Sequence, residues 1–107
     1  MKTFSQKVVE LALTIPAGRV TTYGHIARRA GGGSMASRSV TGILAKAYLA
    51  GETTIPWHRI VYANGQVWLD NEHAAERMRL YKKEKIELDT KGKIKDFEEK
   101  LWDFKGI

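Results

Sequence analysis

The side chains able to do chemistry in this 107-residue sequence are few. The chain has no cysteine, which excludes disulfides, thiolate metal sites and thiol nucleophiles. Its three histidines, His25, His58 and His73, form no cluster of metal ligands. Trp57, beside His58, cannot act as a nucleophile, because the lone pair of the indole nitrogen belongs to the aromatic ring. We therefore expect no metal, no cofactor and no catalytic nucleophile.

The balance of charges indicates a polyanionic partner. Lys and Arg number 18 against 12 Asp and Glu, a net charge of +6. So basic a small protein attracts nucleic acid or an anionic membrane surface. No apolar stretch approaches membrane-spanning length, and the N-terminus lacks the apolar run of a signal peptide. We expect one cytoplasmic domain over residues 1–107, with no membrane partner.

Three amphipathic helices are predicted in the first half of the chain. Apolar residues recur at helical spacing over residues 3–15, and Thr22 can cap a second helix over residues 23–30. After the glycines at 31–33, a third helix runs to about Gly51. Two short helices joined by a glycine turn are typical of a helix-turn-helix, here over about residues 22–50.

The second half predicts a hairpin and two more helices. Strand formers at 60–62 and 67–69 flank Asn64-Gly65, a pair typical of a type I′ turn. Helices are expected over residues 72–85 and 94–104. Their expected inward faces are Ala75, Met78 and Tyr81, and Ile94, Phe97, Leu101 and Phe104. The fold class is mainly α with one small β-hairpin, a winged-helix-like domain containing the helix-turn-helix.

Three segments stand in a distinctive order: GRVTTYGHIA at 18–27, ASRSVTG at 36–42 and IPWHRIV at 55–61. In order and spacing they resemble the DNA-binding domain of the O6-alkylguanine-DNA alkyltransferases. The resemblance spans roughly residues 4–88, most of the chain. It implies binding to duplex DNA that contains O6-alkylguanine.

One departure from that family concerns the nucleophile. The alkyltransferases carry Pro-Cys-His-Arg, and this chain reads Pro-Trp-His-Arg, with Trp57 at the cysteine position. Tryptophan there resembles the alkyltransferase-like group, which does not transfer the alkyl group. The resemblance makes His58 and Glu84 a relay with nothing to activate. The plainer alternatives are a structural histidine bonded to a backbone group and a solvated helix glutamate.

The resemblance also implies a lesion pocket and a way to fill it. Its expected lining is Tyr23, Trp57, Arg59, Trp68 and Leu69. Arg38 matches the arginine that replaces the extruded base in the stack, and Tyr23 matches the tyrosine that crowds the rotating phosphate. The alternatives are a solvated arginine and a core tyrosine.

The motif helix of that family enters the minor groove, where small residues permit close approach. The expected DNA contacts are Tyr23, Arg28, Ala36, Ser37, Arg38, Ser39 and Lys46. Alkyltransferase-like proteins are understood to flag lesions for nucleotide excision repair, so repair proteins are expected partners of a monomer.

Other functions remain open on the sequence. A regulator reading sequence in the major groove would need side chains such as Asn, Gln and Arg along its recognition helix, and residues 35–50 offer Arg38 and Lys46 but no Asn or Gln. A general DNA-binding domain would not read the lesion. An active transferase would need a thiol, which the chain lacks. A further alternative is that Trp57 is an engineered replacement of the cysteine of a working enzyme.

Overall fold

A computed structural model of the chain describes residues 2–32, 36–67 and 72–104. Its regular structure is mainly helical, as the sequence predicts. The helices are α1 (Phe4–Leu13), α2 (Tyr23–Arg29), α3 (Ser37–Leu49), α4 (Ala74–Lys83) and α5 (Phe97–Lys100), and the strands are β1 (Thr21–Thr22) and β2 (Ile60–Val61). Among the helices of the described residues, none is long and apolar enough to cross a membrane.

Helix α1 begins where the sequence predicts, because Thr3 caps it. The Thr3 hydroxyl accepts a hydrogen bond from the Gln6 backbone N–H, and the Gln6 side chain accepts one from the Thr3 N–H. This reciprocal capping satisfies two donors that the start of a helix leaves unpaired. The apolar residues that recur at helical spacing face inward, since Val8, Leu11, Ala12 and Ile15 are buried and Phe4 is half-buried.

Helices α2 and α3 form the predicted helix-turn-helix. The Thr22 hydroxyl caps α2 by accepting a hydrogen bond of 3.0 Å from the His25 N–H. Gly31 adopts a φ of +93° in the turn. A Cβ added at Gly32 would lie 2.5 Å from the Ala36 Cβ, so only glycine permits this close approach.

The strand pairing differs from the predicted hairpin. The described strands β1 and β2 pair in parallel over two residues. The chain does turn where expected, and the Gly65 N–H donates to the Tyr62 carbonyl at 2.9 Å. Across the turn, the Tyr62 N–H also donates to the Gln66 carbonyl at 3.0 Å. The Val67 N–H then donates to the Gly92 carbonyl at 3.0 Å, so the pairing of the hairpin does not extend to Val67. Residues 68–69, expected in the second strand, lie outside the described residues.

The predicted helix over residues 94–104 is wrong in its extent. Asp96 adopts a left-handed φ of +54° directly before α5, which is a single turn. The chain then becomes extended, and the Trp102 N–H donates to the Val20 carbonyl at 2.7 Å. This pairing replaces helical hydrogen bonds. The expected docking of the segment on the domain is confirmed, since Phe104 is fully buried.

The inward face of α4 also differs from the prediction. Tyr81 is buried as expected, but Ala75 is exposed and Met78 is 46% exposed. The half-buried positions include Arg77 and Leu80 instead. The helix therefore turns one charged side chain, that of Arg77, inward, and apolar periodicity cannot predict such a rotation.

The short turn Trp57–Arg59 and the strand β2 lie where two apolar cores meet. Helices α1, α2 and α3 enclose the larger core, to which Ile60 belongs. Val61 and Tyr81 belong to the smaller core. Residues 57–59 are therefore held from both sides.

Candidate functional site

The segment Pro56–Arg59 forms a tight turn before β2. Pro56 has φ −83° and ψ 73°, and the Trp57 N–H donates across it to the Ile55 carbonyl at 2.9 Å. This is the geometry of an inverse γ-turn. The turn leaves Trp57 half-buried against the larger core and His58 buried.

Glu84, just after α4, ties this turn to the rest of the protein. Its Oε2 lies 2.6 Å from the His58 Nε2. The Arg59 guanidinium donates to both carboxylate oxygens, at 3.0 and 2.8 Å, and also to the Ile15 carbonyl. The Gly18 N–H donates to Oε1 at 3.1 Å. With its side chain only 7% exposed, Glu84 is a buried acceptor for three donors and not a solvated helix residue.

The network sets the charge of each member. Burial raises the pKa of Glu84, but hydrogen bonds from Arg59, the Gly18 N–H and His58 outweigh it and lower that pKa to about 2. Burial lowers the pKa of His58, although the bond to Glu84 opposes this. At neutral pH an ionised Glu84 therefore accepts a hydrogen bond from Nε2–H of a neutral imidazole.

A cleft of about 510 Å³ opens beside Trp57 and His58. Tyr48 and Leu49, at the end of α3, contribute one part of its wall, and Arg77 of α4 contributes another. The lining also includes Ala45, Thr53, Ile55, His73, Glu76 and Leu80. The volume and the aromatic wall suit a planar, substituted ligand.

Two predicted site residues lie on the helix-turn-helix, outside the lining of this cleft. Tyr23, the first residue of α2, is half-buried with its ring centroid 5.9 Å from that of Tyr62. Arg38 is exposed in the first turn of α3. The exposed face of α3 continues from Arg38 through Thr41, Gly42, Ala45 and Tyr48. This face leads to the cleft, because Ala45 and Tyr48 also line it.

The structure places Arg59 away from the Trp57 cleft. Its guanidinium is occupied by Glu84 and the Ile15 carbonyl, and it lines a second cleft that shares His58 and Leu80 with the first. Arg59 is therefore positioned to hold the turn, and the expected place in the pocket lining is not observed.

The remaining predicted residues are spread over the surface. Lys46 lines a shallow groove between α1 and α3, away from the face that carries Arg38. Arg28 and Ser39 are exposed, and Ala36 is half-buried. The predicted pocket residues Trp68 and Leu69 lie outside the described residues, as does the side chain of Ser37.

Sequence reasoning missed Tyr48, Leu49 and Arg77 as lining residues. Tyr48 and Leu49 lie outside the buried stripe of α3, and Leu49 is 86% exposed. Large apolar residues on the solvent-facing side of a predicted helix were therefore the sequence signal that could have identified them. No local signal marks Arg77, because the rotation of α4 follows from tertiary packing.

The model of one protein family matches residues 3–86, and its description is "6-O-methylguanine DNA methyltransferase, DNA binding domain". The match includes the helix-turn-helix, the Trp57 turn and Glu84. The chain belongs to this family. Within the alkyltransferase family it is an alkyltransferase-like protein, since its relatives and matching solved structures include Alkyltransferase-like protein 1 and Atl1.

Two named relatives agree with this assignment. This alkyltransferase-like chain is 33% identical to a DNA base-flipping protein of Escherichia coli K12 over 101 residues. The aligned region covers 94% of the chain and 75% of the relative. It is 39% identical over 67 residues to Alkyltransferase-like protein 1 of Schizosaccharomyces pombe, covering 63% of the chain and 59% of the relative.

Solved structures show the same fold. S. pombe Atl1 in complex with damaged DNA containing O6-carboxymethylguanine matches with a TM-score of 0.70 and 32% identity, covering 95% of this alkyltransferase-like chain and 98% of that one. A variant of the Mycobacterium tuberculosis O6-methylguanine methyltransferase matches with a TM-score of 0.59 and 29% identity, covering 84% of this chain and 54% of that one.

Proposed function

We propose that this protein senses DNA damage by binding O6-alkylguanine, turned out of the duplex, in the cleft beside Trp57. The observation that carries the proposal is that cleft, with an aromatic wall at the end of the helix-turn-helix. Relatives named for base flipping and for binding DNA with an O6 adduct support it. Stacking of a base on an aromatic side chain contributes about 1–3 kcal/mol.

The protein binds the lesion without removing the alkyl group. Displacement at the alkyl carbon needs a strong nucleophile, and the chain has no cysteine. A neutral His58 oriented by Glu84 could accept the proton of a thiol, but Trp57 stands in the place of that thiol. The His58–Glu84 pair acts here to hold the turn that carries the aromatic wall.

Arg38 and Tyr23 favour the extruded state. Turning a nucleotide out costs a few kcal/mol, and less when alkylation has weakened its pairing. The exposed Arg38 guanidinium fills the gap, because it can stack on neighbouring bases and hydrogen-bond to the orphaned partner. Tyr23, at the start of α2, crowds the phosphate of the rotating nucleotide.

The face of α3 that carries Arg38 approaches the minor groove. Small residues there permit close contact, and a Cβ added at Gly42 would meet no atom within 4 Å. The close contacts come from Ala36 and Ser39, which lie near Arg38. Arg28 and Lys46 contact phosphates, which supply affinity and salt dependence without sequence choice.

The bound lesion passes to a repair system. A protein that recognises an adduct and cannot remove it needs a successor, so we assign this chain the role of marking the lesion for nucleotide excision repair. It acts in the cytoplasm, on DNA, as a monomeric single domain over residues 1–107.

Fluorescence anisotropy tests the proposal at fixed salt, with two duplexes identical except for one O6-methylguanine. The native protein is expected to prefer the lesion duplex, and Trp57→Ala or Arg38→Ala to reduce that preference at least several-fold. Trp57→Phe keeps an aromatic wall and is expected to retain most of it. Lys91→Ala removes an exposed charge in a distant turn and serves as the control for Arg38→Ala.

Equal affinity of the native protein for the two duplexes would contradict the proposal and leave a general DNA-binding domain. Thermal unfolding of each variant separates loss of recognition from loss of folding.

A further inference from the structure

Tyr62, the residue after β2, keeps a large aromatic side chain at the surface. It is 46% exposed, and its ring centroid lies 5.9 Å from that of Tyr23, with the two ring planes tilted by 46°. Rings at this distance and tilt attract each other more than the buried area alone accounts for. Because Tyr62 buries only about half of its side chain, its contact with Tyr23 is not explained by the filling of a core.

The pairing of β1 with β2 determines that these two rings meet. The strands are parallel, with Thr22 opposite Val61, so the next residue on each strand, Tyr23 and Tyr62, lies beside the other. The backbone of Tyr62 is also fixed from the far side, because its N–H donates to the Gln66 carbonyl at 3.0 Å. The ring of Tyr62 therefore projects from a backbone that is hydrogen-bonded on both sides.

The other end of Tyr23 is held by α3. Burial raises the pKa of Tyr23, and a hydrogen bond with the Thr41 side chain opposes this rise. Thr41 lies on the exposed face of α3 that also carries Arg38. Tyr23 is thus restrained at its ring by Tyr62 and at its hydroxyl by Thr41, and three elements together set its orientation.

We infer that Tyr62 is a positioning residue for nucleotide extrusion, which acts by holding the Tyr23 ring against the phosphate of the rotating nucleotide. The inference rests on the proposed function and adds a residue to it. A tyrosine that crowds a phosphate is effective only if it cannot turn to another rotamer, and neighbouring side chains are what prevent that turn. An orientation fixed before DNA binds also avoids the entropy cost of fixing it in the complex.

The test uses anisotropy at fixed salt with the O6-methylguanine duplex and its undamaged counterpart. Tyr62→Ala is expected to lower the lesion preference about fivefold, which corresponds to about 1 kcal/mol, and to leave the affinity for undamaged DNA unchanged. Tyr62→Phe keeps the ring and is expected to keep the native preference. Met78→Ala is the matched control, because Met78 is also 46% exposed and lies outside the lining of the cleft.

A second measurement reports extrusion directly. A 2-aminopurine placed beside the lesion becomes brighter when the stack next to it opens. At saturating protein, Tyr62→Ala is expected to give a smaller rise in fluorescence than the native protein, and Tyr62→Phe the native rise. A purely structural role of Tyr62 would change the stability of the protein and leave this rise at its native value.

A double-mutant cycle with Tyr23→Ala decides whether Tyr62 acts through Tyr23. We expect Tyr62→Ala to cause no further loss of lesion preference once Tyr23→Ala is present. Thr41→Val removes the hydrogen bond to the Tyr23 hydroxyl, and its loss of preference is expected to disappear in the same background.

An equal loss from Tyr62→Ala with and without Tyr23 overturns the inference, because Tyr62 would then contact DNA itself. A native lesion preference in Tyr62→Ala overturns it as well. The proposed function survives both results, since the native protein still prefers the lesion, whereas a native protein without that preference removes the proposed function and the inference together. If Tyr62→Ala does not fold, Tyr62→Leu removes the ring with a smaller loss of volume and enters the same cycle.

Discussion

Glu84 is the residue on which the geometry of the candidate site depends most. Its carboxylate joins the backbone after α1, through Gly18, to His58 and Arg59 on the turn that carries Trp57. His58 and Glu84 thus stay paired in a chain that has no cysteine. Their retention is explained by structure, because an unpaired Arg59 or Glu84 at this depth would be costly.

Glu84→Gln is expected to lower the free energy of unfolding by about 2–4 kcal/mol, since it leaves the partly buried Arg59 guanidinium without its counter-charge. Urea unfolding at pH 7 measures this. Glu87→Gln is the matched control, because Glu87 is 77% exposed and lies 3.9 Å from its Lys95 partner. A loss of less than 0.5 kcal/mol is typical of such surface pairs. Equal losses in the two variants would contradict the central place of Glu84.

Acid is expected to destabilise the protein in two stages. The pKa of His58 is lower in the folded state than its ordinary 6.5, so the unfolded state binds the proton first and stability falls as the pH drops through 6.5. The pKa of Glu84 falls from 4.5 to about 2 on folding, so its contribution is complete above about pH 5 and is lost as the pH approaches 2. Urea midpoints between pH 7 and pH 2 measure both stages. Glu84→Gln should flatten the lower stage, and an unchanged profile in that variant would assign it to other carboxyls.

At the scale of elements, α3 has two faces with different tasks. Val40 and Leu44 are fully buried and fix the helix against α1 and α2. The opposite face is open and consists of small residues between Arg38 and Tyr48. The packing of the helix and its proposed contact with DNA therefore lie on different sides, and substitutions can separate them.

Two glycine substitutions should have opposite effects on stability. Gly42→Ala adds a methyl group in open space within α3 and is expected to raise the free energy of unfolding by about 0.5–1 kcal/mol, because alanine favours the helix. Gly32→Ala forces a Cβ to 2.5 Å from that of Ala36 and is expected to cost about 1–3 kcal/mol. Thermal unfolding measures both. If α3 contacts DNA as proposed, Gly42→Ala also weakens duplex binding although it stabilises the fold, and unchanged affinity would argue against that contact.

At the scale of the whole molecule, the two cores hold the parts of the site together. The larger core fixes the helix-turn-helix, the smaller core fixes Tyr81 of α4, and β2 contributes to both. The cleft lies between the end of α3 and α4. The net charge of +6 adds a long-range attraction to DNA that depends on no single contact.

The slope of log affinity against log salt concentration is expected to report the number of phosphate contacts. Arg28→Ala and Lys46→Ala should each reduce the slope of log affinity against log salt by about 0.9, if each side chain neutralises one phosphate. Anisotropy titrations of an undamaged duplex between low and moderate salt give this slope. Lys91→Ala is expected to leave it unchanged. A native slope in Lys46→Ala would mean that Lys46 contacts no phosphate and only lines the groove between α1 and α3.

The sequence alone determined the features that depend on near neighbours. Thr22 was readable as a helix cap, because capping involves residues about three positions apart. The helix-turn-helix followed from helical spacing and the intervening glycines. The three segments at 18–27, 36–42 and 55–61 carried the resemblance to the family without any coordinates, and the absence of cysteine was equally plain.

Only the tertiary structure decided which distant segments meet. The parallel pairing of β1 with β2, the extended chain after α5 and the rotation of α4 all join residues far apart in sequence. Such contacts depend on how whole elements pack together, and the local pattern of residue types along the sequence does not specify that packing. The same packing brought Glu84 to His58 and Arg77 to the cleft, because each pair lies on different elements that only the folded chain places side by side.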